Sequence, residues 1–178
     1  MYSTSKLIIR SLQEKDTALI VKWRNDLEIT KFLFSSRGLT REEHLAWLAQ
    51  LADDNTRREF LLVEKENGFP IGTIGLSNVD FLHRKGELGI MIGEKEFQGR
   101  GYGKEACQFI VKYGFGKLGL NKIYLRAFTD NESAITLYEK IGFQKEGILR
   151  EEIFKDGLFK DVMAMAILKK NYIQPTEF

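Results

Sequence analysis

Cysteine occurs once in 178 residues, at Cys107, so no internal disulfide can staple this chain and burial must hold it together. The segment around Cys107 is apolar, which reads as core packing and not as a nucleophile. Only two histidines are present, His44 and His83, and with no clustered cysteines a dedicated metal site is not expected. Proline is almost absent, and no serine-rich, proline-rich or like-charged stretch marks a linker. Residues 1–178 therefore read as a single domain. No apolar run approaches the roughly 18 residues of a membrane span, and Met1 to Arg10 lacks a charged-then-apolar leader. A cytoplasmic protein is expected. Neither sign of charge dominates: 27 basic residues face 25 acidic ones, interleaved along the chain, for a net charge of +2. That balance gives no reason to expect nucleic acid or a lipid surface as partner.

What the chain does contain is a glycine-rich stretch at Gln98-Gly99-Arg100-Gly101-Tyr102-Gly103. Before it, Leu88, Ile90 and Ile92 alternate with Glu87, Gly89 and Met91, the period of a strand with one apolar face. After it, Ala106, Phe109, Ile110 and Tyr113 repeat at the spacing of an amphipathic helix. The loop thus ends a strand and opens a helix. Alternate glycines remove every second Cβ, so backbone N–H groups can turn inward towards an anion. The first turn of the helix adds unpaired N–H groups and a positive dipole end, and Arg100 a full charge. The bare alternative is a tight strand-to-helix turn. A P-loop is excluded because Glu105 follows Lys104, and a dinucleotide turn because no acidic residue falls near Asn121 and Lys122.

Elsewhere the pattern alternates between strands and helices. Leu7-Ile8-Ile9 reads as a first strand. Asp16 is placed as an N-cap, with Leu19, Ile20, Trp23 and Leu27 on one helical face. Phe32-Leu33-Phe34 is an apolar loop, which suggests packing or a lid on the substrate side. Thr40 and Glu43 form a capping box ahead of a helix with Leu45, Leu48, Ala49 and Ala52 on one face and His44 at its surface. Phe60 to Glu64 and Pro70 to Asn78 flank the turn Glu66-Asn67-Gly68, with Gly72 and Gly75 marking close packing or a bulge. Ile123 to Phe128 is a further strand, Asn131 to Phe143 a helix ended by Gly142, and two last strands flank Asp156-Gly157. Such an order gives an α/β (α+β) fold with a mixed sheet.

Asn131, Ala134, Tyr138, Gly142 and Phe143 follow the pattern N-x-x-A-x-x-x-Y-x-x-x-G-F, and Gln98 to Gly103 the pattern Q-x-x-G-x-G. With both in this order, the sequence resembles the GCN5-related N-acetyltransferase (GNAT) family, over nearly its whole length. It is similar to the branch of ribosomal-protein N-terminal, polyamine and nucleotide-linked aminosugar acetyltransferases. Trp23-Arg24-Asn25-Asp26 and the helix from Thr40 to Leu48 look most like the aminosugar and ribosomal members. The resemblance implies a mostly antiparallel sheet with about four flanking helices. Its two central parallel strands, Glu87 to Ile92 and Lys122 to Phe128, splay apart. It implies acetyl-coenzyme A as co-substrate, without a metal: Gln98, Gly99, Arg100, Gly101, Tyr102 and Gly103 on the pyrophosphate, Met91, Ile92 and Gly93 along the pantetheine arm, and Asn131 hydrogen-bonded to that arm.

An amine attacking a thioester must lose a proton, because an alkylammonium has a pKa near ~10.4. Glu87 is the sequence's candidate base, acting through a water, and a solvated or salt-bridged strand glutamate is the equal alternative. A backbone N–H at Met91 or Ile92 is the implied oxyanion donor. Tyr138, whose phenol stays protonated at neutral pH, is expected to give its proton to the leaving sulfur. The acceptor is expected to be a primary amine of a small molecule, an aminosugar nucleotide or a polyamine, with Arg24 and Arg37 suited to the former and Glu28, Asp53, Asp54 and Asp80 too dispersed for the latter. A peptide N-terminus of the ribosomal-protein type is the alternative, and a non-catalytic acetyl-coenzyme A-binding domain a more distant one. A homodimer through Phe32-Leu33-Phe34 or the final hairpin stays open beside burial of both in the core.

Overall fold

The computed structural model describes residues 1–35 and 37–173. Its centre is an eight-stranded sheet in the order β1-β2-β3-β4-β5-β6-β8-β7. These strands are β1 (Tyr2–Ser3), β2 (Leu7–Ser11), β3 (Arg58–Glu64), β4 (Pro70–Asp80), β5 (Lys85–Ile92), β6 (Lys122–Phe128), β7 (Gln144–Lys155) and β8 (Leu158–Leu168). Five helices flank it among the described residues: α1 (Thr17–Asn25), α2 (Leu27–Thr30), α3 (Arg41–Leu51), α4 (Tyr102–Gly116) and α5 (Glu132–Ile141). Every neighbouring pair is antiparallel except β5 and β6. That parallel pair is short. It runs from Lys85↔Lys122 to Glu87↔Tyr124 and stops, after which β5 keeps only β4 and β6 only β8. The sheet is therefore the splayed mixed sheet expected from the sequence.

Alternation along the strands divides the core into two layers. On one face Leu62, Ile74, Leu76, Leu88 and Ile123 pack under Ala106, Cys107, Ile110 and Val111 of α4. On the other, Leu61, Val63 and Met91 pack under Ile20 and Trp23 of α1. Each such aliphatic side chain stabilises the fold by about 1.5–3 kcal/mol relative to exposure. Cys107 is fully buried, and burial pushes its thiol up to about 12, so it packs and does not react. Gly72 sits where β3 and β4 slip register beside Leu62 and Val63, so this glycine does mark a bulge. Asp156 and Gly157, both with positive φ, make the turn joining β7 to β8.

Three local expectations need correction. Asp16 precedes α1, but its carboxylate accepts from the Gln13 N–H and takes both guanidinium nitrogens of Arg10, at 2.7 and 2.8 Å; it closes the turn before the helix instead of capping it. Leu27 does not continue the face of Trp23. The chain leaves the helical region at Asp26, whose side chain caps α2, and Leu27 is 73% exposed. In α3 the capping box of Thr40 and Glu43 forms as read, yet the buried residue is His44, while Ala49 and Ala52 face solvent. Polar and apolar residues at neighbouring helical positions left the inward face of α3 undecided by periodicity.

Candidate active site

The glycine-rich stretch lies where β5 has parted from β6. Gly99 and Gly101 take φ of 71° and 89°, a region that costs other residues about 1–2 kcal/mol. Gly101 is the residue that caps α4, so the first N–H groups of that helix open onto the loop. The Gln98 side chain donates to the Ile92 carbonyl at 3.0 Å, tying the loop to the end of β5. Lys6 reaches over from β2's leading segment to the Arg100 carbonyl, 3.3 Å away, and adds a charge that no sequence pattern signalled. Together Gln98, Gly99, Arg100, Gly101, Tyr102 and Gly103 form a helix start flanked by the positive charges of Arg100 and Lys6. This is a setting that fits a pyrophosphate.

The second motif packs beside the first. Leu137 of α5 and Ile90 of β5 both approach Gly103, so the start of α4 is where α5 and β5 converge. Asn131 caps α5: its side-chain oxygen accepts from the Ala134 N–H at 3.4 Å, which leaves its amide N–H₂ for other partners. Gly142, with φ of 109°, ends the helix where the Tyr138 carbonyl accepts from Phe143. Tyr138 is 8% exposed, against Phe143 and Cys107. Burial pushes its phenol well above the usual range, with Cys107 adding to the effect, so it keeps its proton at any physiological pH.

On the opposite face of the sheet a cavity of about 390 Å³ opens between α1, α3 and strands β3 to β5. Its floor includes Gly89, Ile90 and Met91, the part of β5 beyond its last pairing with β6. Apolar walls come from Leu12, Ile20, Leu33 and Trp47, and polar groups from Arg24, His44, Arg57 and Glu59. His44 is 2% exposed, not at the surface as its place in α3 implied; its Nδ1 meets the Thr17 hydroxyl at 3.1 Å and its Nε2 has no partner among the described residues. Burial lowers its pKa, so the ring is neutral near pH 7. Arg24 is half-buried and makes no ion pair or hydrogen bond among the described residues, and burial lowers its pKa. Arg37, by contrast, is held by Glu43, which removes it from the acceptor side.

The candidate base Glu87 is already engaged. One carboxylate oxygen takes Arg126 Nε at 2.8 Å and the other takes Asn78 Nδ2 at 2.8 Å. Of the two readings the sequence left open, the geometry matches the salt-bridged strand glutamate. Met91, Ile92 and Gly93 lie at the free end of β5, with the Gly93 N–H donating to Ile71 and the ring of Trp23 packed onto Gly93. Phe34 packs edge-on to Phe128 at 5.0 Å, so the apolar loop is docked on β6. Lys155 anchors it. Buried at the end of β7, this ammonium donates to the carbonyls of Thr30, Lys31 and Leu33 at 2.7 to 2.8 Å. Lys155 and Glu59 were missed by sequence reasoning: Lys155 meets carbonyls more than 120 positions away, and Glu59 lies across Gly75 of the neighbouring strand, which no local pattern shows. Among the described residues no group of three or more His, Cys, Asp or Glu is placed to hold a metal ion, and no helix is long and apolar enough to cross a membrane.

Comparison with known proteins agrees with this geometry. The family model for the acetyltransferase (GNAT) domain matches residues 6–144. A spermidine N(1)-acetyltransferase of Vibrio cholerae is 32% identical over 173 residues, covering 97% of this chain and 99% of the relative. A putative ribosomal N-acetyltransferase of Bacillus subtilis is 34% identical over 148 residues, 79% of each chain. The crystal structure of the spermidine N-acetyltransferase from Vibrio cholerae in complex with CoA and spermine superposes with a TM-score of 0.89, covering 94% of this chain and 98% of that one. Matches over the full fold, at this identity, leave one conclusion: the chain belongs to the GNAT acetyltransferases and is an N-acetyltransferase that uses acetyl-coenzyme A as its donor.

Proposed function

We propose that the enzyme transfers the acetyl group to a primary amine of a small molecule bound in the cavity between α1, α3 and β3 to β5. The observation that carries this reading is the position of that cavity. It reaches the sheet at Gly89 to Met91, in the stretch of β5 left unpaired on the β6 side. In this reading the N–H groups of Gln98 to Gly103 hold the pyrophosphate, and Met91, Ile92 and Gly93 align the pantetheine arm, which Asn131 steadies through its free amide N–H₂. Tyr138 protonates the departing sulfur. A backbone N–H at Met91 or Ile92 receives the developing oxyanion.

Two acceptor classes are distinguished by charge. The relatives named as spermidine acetyltransferases support a polyamine. The cavity's own charges support the other class, an amine that also carries an anionic group, such as an aminosugar nucleotide: Glu59 is the single carboxylate lining it, against Arg24 and Arg57. A bounded cavity suits either better than an extended peptide N-terminus, for which the ribosomal-type relative is the support. The deciding experiment is thiol release from acetyl-coenzyme A across polyamines, aminosugars and their nucleotides, amino acids and short peptides. Release with a small-molecule amine is expected, and the ratio of rates with polyamines and with aminosugar nucleotides separates the two classes; release with peptides alone overturns the small-molecule reading.

The remaining parts of the proposal concern setting. Use of acetyl-coenzyme A supports a cytoplasmic location. The hairpin of β7 and β8 supports a homodimer, since β7 is the sheet's outer strand and exposes Ile148, Leu149 and Phe154, with Leu158 and Phe159 beside it. A strand edge with apolar side chains is self-complementary about a twofold axis.

A further inference from the structure

Glu59 stands near the start of β3, opposite Gly75 of β4, and Gly75 in turn stands opposite Gly89 of β5. Directly opposed residues share a face of the sheet, so this row across three strands carries one side chain and two bare backbones. The carboxylate uses the gap. A Cβ placed on Gly75 would lie 2.4 Å from Glu59 Oε2, which shows that the side chain lies flat across the β4 backbone. Nothing stands within 4 Å of where a Cβ on Gly89 would be, so the track beyond is open to the splayed end of β5. Glu59 lines the same cavity as Arg24 and as His44, whose Nε2 has no partner among the described residues. Unlike Glu87, whose two oxygens are taken by Arg126 and Asn78, Glu59 has one ion-pair partner, Arg57, at a loose 3.6 Å.

From this geometry we propose that Glu59 is the catalytic base that takes the proton from the acceptor's ammonium before it attacks the thioester. The inference rests on the transferase reading above and adds to it the residue that activates the nucleophile. The ammonium gives one proton to the Glu59 carboxylate. The nitrogen lone pair then forms the C–N bond as the C–S bond breaks. Tyr138 protonates the sulfur and is reprotonated, through solvent, by the second proton that nitrogen sheds, while Glu59 returns its proton to water. The sum is ammonium plus thioester giving amide, thiol and one proton.

The charges around the carboxylate suit that role. Arg57, just before β3, faces it, with Arg24 from α1 and the neutral His44 from α3 on the same cavity, and the Glu87–Arg126 pair further along the sheet face. Burial raises the Glu59 carboxyl to about 7, against a smaller lowering by Arg57. A base so placed is half ionised near neutrality, where proton transfer from a substrate is most effective.

The test is the pH dependence of kcat/KM for thiol release by the wild-type enzyme, Glu59→Gln and Glu59→Asp, with acetyl-coenzyme A binding measured by calorimetry as the check on folding. Wild type is expected to lose about tenfold per pH unit below about 7. Glu59→Gln is expected to be about 10²- to 10⁴-fold slower, with that acid limb abolished and coenzyme binding intact. Glu59→Asp should recover part of the rate and restore an acid limb. An acceptor amine of lower pKa, which needs less help in losing its proton, should narrow the gap between Glu59→Gln and wild type. A Glu59→Gln enzyme that binds coenzyme and keeps the wild-type rate and acid limb overturns the inference and leaves the transferase reading standing. Wild-type protein that releases no thiol with any amine overturns both.

Discussion

Tyr138 is buried and Glu59 half-buried, and desolvation acts on both ionisable side chains in the same direction: it holds the proton on. For Tyr138 that suits a proton donor. Tyr138→Phe is expected to bind acetyl-coenzyme A normally and to turn over about ten- to a thousandfold more slowly, measured by calorimetry beside steady-state kinetics. For Glu59 burial has a consequence for stability as well. Its folded carboxyl titrates near 7 and the unfolded one near ~4.3, so the folded state binds the extra proton between those values. The contribution is fully present below about pH 4.3 and is lost as pH rises through 7. Glu59→Gln should therefore remove that decline, and its melting temperature should gain on wild type between pH 5 and 8. A wild-type minus variant difference that is flat with pH would show that the carboxyl is not perturbed.

Among the elements, the loop into α4 and the loop after α2 are held in different ways. The first depends on backbone conformation: Gly101→Ala forces a side chain into φ of 89°, expected to cost about 1–2 kcal/mol and to weaken acetyl-coenzyme A binding, which calorimetry would read. The second depends on one ammonium. Lys155→Met leaves the carbonyls of Thr30, Lys31 and Leu33 without their donor, for an expected loss of about 1–3 kcal/mol in urea unfolding. Because Leu33 lines the cavity, the same change should raise KM for the acceptor more than for acetyl-coenzyme A. Legibility differed just as much. The capping box at Thr40, the end of α5 at Gly142 and the turn at Asp156-Gly157 use contacts within a few residues, and the sequence displays them. Lys155 and Thr30 are separated by 125 positions, and no local pattern connects them.

At the scale of the whole molecule, what matters is the short parallel pairing of β5 and β6. Two strands that share three residue pairs and then part leave β5 from Leu88 onward without a partner on the β6 side, the opening to which the proposed function assigns the thioester. The outer strand β7 is the other large-scale feature, exposed along nearly its entire length. Sedimentation equilibrium is expected to give twice the 20.6 kDa of the chain, and Phe159→Lys to shift it towards monomer. A monomer at every concentration would remove the dimer from the proposal.

The sequence by itself determined most of the order of strands and helices, the glycine-rich loop from Gln98 to Gly103, the Asn131 to Phe143 signature and, through both motifs, the family and its reaction. All of these rest on residues close together in the chain, where periodicity, glycine and capping chemistry act directly. Only the tertiary structure decided that Glu87 pairs with Arg126, that His44 turns inward from α3, that Arg24 makes no ion pair or hydrogen bond among the described residues, and that Glu59 lies across Gly75 towards the open end of β5. Those outcomes depend on which strands become neighbours and in what register, and register between distant segments is set by the packing of the whole sheet.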